Sequence, residues 1–288
     1  MPSLIDIRRR IRSVKNTQQI TKAMKMVSAA KLRRAQDRVI AARPYSQMLQ
    51  RMLSNIAQAA SENTSEEETH PLLVQRPEKR ILLVLITADS GLAGAFNSNI
   101  IRQAQRFAEE HTDAEVEFEL VGRKGRDYFK KRGAKIAGEY AGLFLKVVRT
   151  EDATGIAHKI AESFEKAEVD SVYLMVNKFK SVVAPEMITR RILPVEVPES
   201  KNAIDYIYEQ PPAELLAGLL PRYVENQIYQ AMIESYTAYQ AARMTAMDAA
   251  SSNAADVLDR LTLNMNRVRQ ASITREIIEI VSGAAALD

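Results

Sequence analysis

Apolar residues recur at spacings of three and four along both ends of the chain. From Ser3 to Arg43 the rhythm runs through Leu4, Ile7, Ile11, Val14, Met24, Val27, Leu32, Ala35, Val39 and Ala42, and it continues beyond Pro44 through Leu49, Leu53 and Ile56. A second stretch carries it through Leu219, Tyr223, Ile233, Tyr236, Met244, Met247, Leu258, Leu261, Met265, Val268, Ile277 and Ile280. This spacing predicts two long helices of the coiled-coil type. The middle has a different period. Arg80 to Thr87 is an apolar, β-branched run suited to a buried parallel strand, and Asn97 to Glu110 reads as a helix. Glu115 to Val121 alternates as a strand, Lys124 to Lys131 forms a short helix, and short strands are expected at Lys135 to Glu139 and Lys146 to Val148. Thr154 to Ala167 is then helix, Ser171 to Asn177 strand, and Val182 to Val197 a hairpin or edge pair.

Length fixes how these pieces can be arranged. As one helix, Arg222 to Asp288 would extend on the order of 100 Å and Ser3 to Arg43 about 60 Å, whereas a compact globule of this chain length is roughly 50 Å across. The C-terminal helix cannot be contained in such a globule, and its apolar stripe requires a partner. The N-terminal helix is the nearest candidate. One helix enters the middle segment and the other leaves it, so the pair is antiparallel, with the far end of the longer C-terminal helix projecting alone. The predicted class is therefore α/β: a long antiparallel coiled coil of N- and C-terminal helices plus a Rossmann-like α/β domain. The boundaries are a first helix at 1–60, a linker at 61–79 that includes the acidic stretch Glu62 to His70, the α/β domain at 80–200, a connection at 201–212 and the second helix at 213–288. On a strict heptad count through Leu4, Ile11, Leu32 and Val39, Gln18 and Lys25 interrupt the seam. Either the register drifts there or this region packs against something other than the partner helix.

Composition sharpens this picture at two points. Eight of the ten glycines lie between Gly91 and Gly155, and no proline follows Pro221, so the turns are concentrated in the middle. The formal charge of +4 is unevenly spread: Met1 to Arg43 holds twelve Lys or Arg against Asp6 and Asp37, a local +10. Residues 222–288 carry eight acids and six bases and neutralise only part of that surplus. With no cysteine, thiolate chemistry, iron–sulfur clusters and disulfides are excluded, and a reducing compartment is the default. The longest apolar run, Ile81 to Ile86, is far short of the roughly 20 residues of a membrane helix.

Candidate chemistry is sparse. Thr87-Ala88-Asp89-Ser90-Gly91-Leu92-Ala93-Gly94 lies between a strand and a helix, where dinucleotide folds place a phosphate loop. It lacks the third glycine and a Lys-Ser/Thr pair, and the next strand closes with Val121, Gly122 and Arg123 rather than an acid. A structural turn is the better reading, and no nucleotide binding is expected through the Gly91 loop. His70, His111 and His158 lie in separate segments, so no metal or catalytic histidine site is expected. For the basic N-terminal run, a solvated face, a transit peptide, a nucleic-acid surface and a surface for an acidic protein partner are the available readings. Base-stacking aromatics are missing there, since the first aromatic is Tyr45. At the other end, Ala271 to Leu287 closes the chain in small and apolar residues, as suits an apolar socket rather than water.

Two motifs carry a family resemblance: Ile7 to Gln36, with Asn16-Thr17-Gln18-Gln19-Ile20-Thr21-Lys22-Ala23-Met24-Lys25-Met26-Val27 at its centre, and Arg269 to Ala286, with Ile273-Thr274, Glu276, Glu279 and Gly283-Ala284. Together with Ser90 to Asn97 and Asp205 to Glu209, they make the chain resemble the gamma subunit of F-type ATP synthase over essentially its whole length. The resemblance implies a non-catalytic central-stalk rotor subunit of a proton-translocating F1Fo assembly. Its helix pair would penetrate a ring of three alpha and three beta subunits, and rotation would cycle the beta-subunit sites between conformations of different nucleotide affinity. The lower end, including Lys201 to Pro212, would face the epsilon subunit and the membrane c-ring, with one copy per complex.

By the same resemblance Met24, Lys25, Arg269, Gln270, Thr274, Glu276 and Glu279 form a collar against the beta subunits. Val281, Ala284, Ala285, Ala286 and Leu287 form an apolar bearing tip. No cofactor, metal or nucleic acid is implied. A start at Met1 without a transit segment, and the absence of cysteines, point to a bacterial member held peripherally on the cytoplasmic side of the cell membrane. The alternative from another class is a basic coiled-coil adaptor that binds nucleic acid, with the α/β domain as platform. A nucleotide-binding enzyme is a weaker third reading.

Overall fold

The computed structural model describes residues 3–63, 70–181, 186–197 and 208–285. Two long helices, α1 (Leu4–Asn63) and α5 (Pro212–Ala285), flank five strands and three shorter helices. The chain divides into two compact units, one of residues 1–29 with 243–288 and the other of residues 30–242, so each long helix contributes to both.

In the larger unit the strands are β1 (Arg80–Ile86), β2 (Glu115–Val121), β3 (Ile136–Tyr140), β4 (Ser171–Lys178) and β5 (Glu186–Leu193), in the order β3-β2-β1-β4-β5. The first four are mutually parallel, and β5 closes the edge antiparallel to β4, with Val176 opposite Ile188. The central strand β1 shows why: every residue from Ile81 to Ile86 is buried, which requires cover on both faces. Ile81, Leu83 and Leu85 pack with α2 (Phe96–Glu110) and with Phe129 of α3 (Arg123–Lys130). Leu82, Val84 and Ile86 pack on the opposite face with α4 (Thr150–Glu165) and with the portions of α1 and α5 that belong to this unit. From 223 to 242 no position of α5 is exposed, because α1 and the sheet layer enclose it together. Asn226 Nδ2 donates to Ser46 Oγ at 2.6 Å and Gln230 Nε2 to the Ala42 carbonyl at 3.4 Å, which sets the two helices antiparallel.

The start of β4 is fastened by a buried carboxylate. Asp170, 6% exposed, accepts from the Arg80 and Lys79 backbone N–H groups and from the Arg80 guanidinium. Burial alone would raise its pKa, but these hydrogen bonds and the adjacent charge outweigh it and hold the group below the ordinary carboxylate range. Its contribution to stability is therefore complete above the unfolded value of about 3.9 and is lost as pH falls through the lower folded one. Asp170→Asn is expected to weaken the fold at neutral pH and to flatten the decline below about pH 4. Urea unfolding across that range checks this, and parallel curves for the two proteins would contradict it.

The smaller unit pairs the start of α1 with the end of α5. Ser3 caps α1: its Oγ accepts the Asp6 N–H, and Asp6 Oδ2 in turn accepts from the Ser3 N–H. Along α1 the inward positions are Leu4, Ile7, Ile11, Val14, Gln18, Thr21, Lys25 and Ser28; along α5 they are Met244, Met247, Ser251, Ala254, Leu258, Leu261, Met265 and Val268. Both rows step by threes and fours without a break.

Several expectations need correction. The register does not drift at Gln18 and Lys25. A constant heptad keeps both on the seam and buries Thr21 and Ser28 between them, while Met24 is half-buried beside it and Val27, assigned to the stripe above, is 55% exposed. Lys146 to Val148 is not a strand: it follows a 3-10 turn at Leu143–Leu145, and the Val148 carbonyl accepts from Arg38 rather than from a strand neighbour. α4 starts at Thr150, four residues before the expected position. The acidic linker residues 64–69, the start of the expected edge pair at 182–185 and most of the 201–212 connection lie outside the described residues.

Candidate functional site

Two places in the fold could carry function: the surface of the helix pair in the smaller unit, and the crevice at the carboxyl ends of the parallel strands. On the helix pair, Arg8, Arg9, Arg10, Arg12, Lys15 and Lys22 are all exposed. At 100° per residue, Arg8 to Arg12 spread positive charge over most of the helix circumference and leave only the seam direction apolar. Lys25 differs, since its ammonium lies 2.5 Å from Asp248 of α5. Both side chains are substantially exposed, so the pair contributes under about 1 kcal/mol and serves to keep a polar residue in the seam. It also gives the antiparallel alignment: Val268 lies 20 residues beyond Asp248, and Leu4 lies 21 before Lys25.

Past Val268 the seam ends. Every described side chain from Arg269 to Ser282 is exposed, including Arg269, Gln270, Thr274, Glu276, Glu279 and Val281. Two hydroxyls bond within the helix, Thr274 Oγ1 donating to the Gln270 carbonyl and Ser272 Oγ to Glu276. The same end carries exposed apolar surface. Ile273, Ile277 and Ile280 fall on one stripe with Ile278 and Val281 beside it, each between 49% and 71% exposed. An apolar face of this extent marks an interaction surface. The structure thus pairs Lys25 with Asp248 and leaves Met24 half-buried on α1, while the other collar residues are solvent-facing on α5. Ala284 and Ala285 belong to α5, and Ala286 and Leu287 lie outside the described residues.

The crevice is filled by the protein itself. Asp89, 5% exposed in the loop after β1, accepts the Arg123 N–H at 2.9 Å and the Gly142 N–H at 2.7 Å on Oδ1, and the Phe144 N–H at 2.8 Å on Oδ2. One carboxylate therefore ties together the loops that follow β1, β2 and β3. Asn97 holds the same loop from the other side, accepting from the Ala88 N–H and donating to the Ser90 carbonyl. At the end of β4, Asn177 donates to the Phe96 carbonyl. In the first βα loop, where dinucleotide folds offer backbone donors to a phosphate, the Ala88 N–H is taken by Asn97 and the buried Asp89 carboxylate adds negative charge. Residue type alone does not reveal this, because Ala-Asp-Ser-Gly reads equally well as an ordinary turn.

The three histidines have local structural partners. His70 Nδ1 accepts the Leu72 N–H, His111 stacks on Phe107, and His158 lies 3.2 Å from Glu225. Burial lowers the His70 pKa against a smaller opposing effect of Glu165. Among the described residues no group of three His, Asp or Glu could hold a metal ion, and no helix is long and apolar enough to cross a membrane.

This fold, a five-stranded sheet with two long helices, is shared with a chain of a solved ATP synthase central stalk. A family model described as ATP synthase matches residues 3–287. The chain is 61% identical over 288 residues to the ATP synthase gamma chain of Solibacter usitatus and 48% identical over 291 residues to that of Pelotomaculum thermopropionicum, with both chains of each pair fully covered. Among solved structures it is similar to a chain of the central stalk and c-ring of the Tetrahymena thermophila mitochondrial ATP synthase. The TM-score is 0.63 at 26% identity, covering 81% of this chain and 99% of that one. A rotor chain of the Euglena gracilis mitochondrial ATP synthase matches in fold, with a TM-score of 0.65 at 16% identity over 94% of this chain and 98% of that one. The chain belongs to the ATP synthase gamma chain family. The nucleic-acid adaptor reading draws no support from these relatives.

Proposed function

We propose that this chain is the central-stalk rotor subunit of a proton-translocating F1Fo ATP synthase, coupling rotation driven by ion flow to ATP synthesis and hydrolysis at beta-subunit sites. The observation that carries this reading is the uncovered α5 end from Arg269 to Ser282, which presents exposed isoleucines in a chain that belongs to the gamma family over residues 3–287. Its partners are then the alpha and beta subunits of the ring around the helix pair, together with epsilon and the membrane c-ring. One copy serves each complex, held peripherally at the cytoplasmic face of the cell membrane. The subunit itself is non-catalytic. Support comes from the crevice, where the buried Asp89 carboxylate sits among the loops after β1, β2 and β3 and would repel a phosphate.

The mechanics follow from the helix. Between Gly218 and Gly283 α5 contains no glycine, and after Pro221 no proline, so its hydrogen-bond ladder has no built-in joint at which a twist would dissipate. In the ring, Val281 and the alanines and leucine that follow act as the apolar bearing. The collar of Met24, Lys25, Arg269, Gln270, Thr274, Glu276 and Glu279 meets the beta subunits, and the shaft angle selects which beta conformation is favoured.

Arg269→Glu tests the coupling. Arg269 is exposed and outside the helix seam, so the variant folds; loss of one charge contact of about 1.4 kcal/mol corresponds to roughly tenfold. Single-molecule rotation and ATP hydrolysis by the reconstituted complex are expected to fall by about that factor. Unchanged torque and turnover would remove Arg269 from the collar, and absence of the chain from a purified ATPase assembly would overturn the rotor reading itself.

A further inference from the structure

The larger unit holds a cavity of about 450 Å³ between α1, the segment after the 3-10 turn at Leu143–Leu145, and α5. Its lining is largely apolar: Ala35 of α1, Leu145 of the turn, Val147 and Val148 after it, and Ile233 and Tyr236 of α5. Four cations and no acid complete the lining, with Lys31, Arg34 and Arg38 from α1 and Lys146 from the segment. Leu145 and Val147 are 57% and 53% exposed, unusual for apolar side chains beside so much charge. The volume lies within the range of about 300–1,000 Å³ typical of small-molecule sites, and an apolar body with a few convergent polar groups is the usual composition of such sites.

We propose that this cavity binds a small amphiphilic anion, a carboxylate or sulfonate on an alkyl or aryl body. The cations at the mouth attract the head and the aliphatic walls take the body. Size is limited by the cavity itself, whose volume of about 450 Å³ suits a small ligand. A second cavity shares Arg38, Val147 and Val148 but has a mixed lining, with Arg149 and Arg222 beside Glu151 and Glu225, so the lining with cations and no acid belongs to the first alone. The inference is independent of the rotor reading, since it uses only the side chains of this cavity.

Isothermal titration of the full chain with hexanoate, octanoate and decanoate, each below its micelle concentration, tests it. One-to-one saturable binding is expected, tightening about three- to fourfold per added methylene. Arg34→Glu and Val147→Glu should each weaken decanoate about tenfold; both residues are exposed, and circular dichroism verifies that the variants fold. Decanol should bind more weakly than decanoate, and sulfate should not compete at equal concentration. The α5 end is a separate exposed apolar surface, so Ile280→Glu provides the contrast and should leave binding unchanged. No heat of binding, no dependence on chain length, or loss of binding in Ile280→Glu rather than in the cavity variants would each overturn the proposal.

Discussion

Gly122→Ala is expected to lower the stability of the larger unit by about 3–5 kcal/mol, enough to deplete the folded protein at 37 °C. Gly122 follows β2 at φ +97°, where an L side chain is strained before any neighbour is considered. A Cβ there would stand 2.1 Å from the Thr87 carbonyl oxygen and 2.7 Å from its carbon. These are backbone atoms and cannot rotate aside. Thr87 is itself fixed: its N–H donates to the Val121 carbonyl, and its Oγ1 accepts from Gly125 while donating to Val121. Relieving the clash therefore means prying β1 from β2 at the end where the crevice loops leave the sheet. Gly94→Ala supplies the comparison, since Gly94 has φ +55° with nothing within 4 Å of a built Cβ. It carries conformational strain alone, about 1 kcal/mol. For a unit of this size the two variants should differ in melting temperature by roughly 5–15 °C, and similar melting curves would show that the close approach at Thr87 is not a constraint.

The long helices were legible because their signal is periodic and repeated. Leu4, Ile7, Ile11 and Leu32, Ala35, Val39 bracket the polar stretch on α1, and counting in sevens across it yields Thr21 and Ser28, which the structure buries. Counting apolar residues alone instead selects Val27, which points to solvent. Pro44 does not end α1, because Leu49, Leu53 and Ile56 beyond it bury enough surface to offset a proline cost of about 3 kcal/mol. The central strand announced itself through six consecutive apolar residues. Lys146 to Val148 misled because so short a β-branched run carries little information, and a guanidinium took the carbonyl that a strand would have paired. At the α5 end, exposure of the isoleucines follows from the unequal lengths of the two helices. Among the described residues none covers those isoleucines, so only the family resemblance spoke to a partner for them. The internal partner of Lys25 was hidden because Asp248 is distant in sequence and single charges on a helix have no spacing that identifies a mate.

Asp89→Ala should cost about 3–5 kcal/mol and loosen three loops at once. The carboxylate is buried, and each of its three N–H partners would be left with water or nothing, at about 1–3 kcal/mol per unsatisfied buried donor. Partial entry of solvent keeps the total below the full sum. Asp89→Asn separates charge from geometry. With its oxygen placed on Arg123 and Gly142, its amide N–H2 would oppose the Phe144 N–H, so one bond is lost and a donor–donor contact created, at roughly half the alanine cost. Urea unfolding orders the three proteins, and hydrogen exchange at the Arg123, Gly142 and Phe144 amides locates the loss. Equal protection of those amides in wild type and alanine variant would show that the carboxylate is not what holds them. The same substitution tests whether the Asp89 carboxylate stands where a phosphate would sit at the strand ends. If Asp89 is the anion that the strand ends require, wild type should show no saturable ATP binding, while inorganic phosphate should raise the melting temperature of Asp89→Ala and leave wild type unmoved. Saturable ATP binding by wild type, lost on Gly94→Val, would mean that the crevice is open and that a structural carboxylate is the wrong account of it.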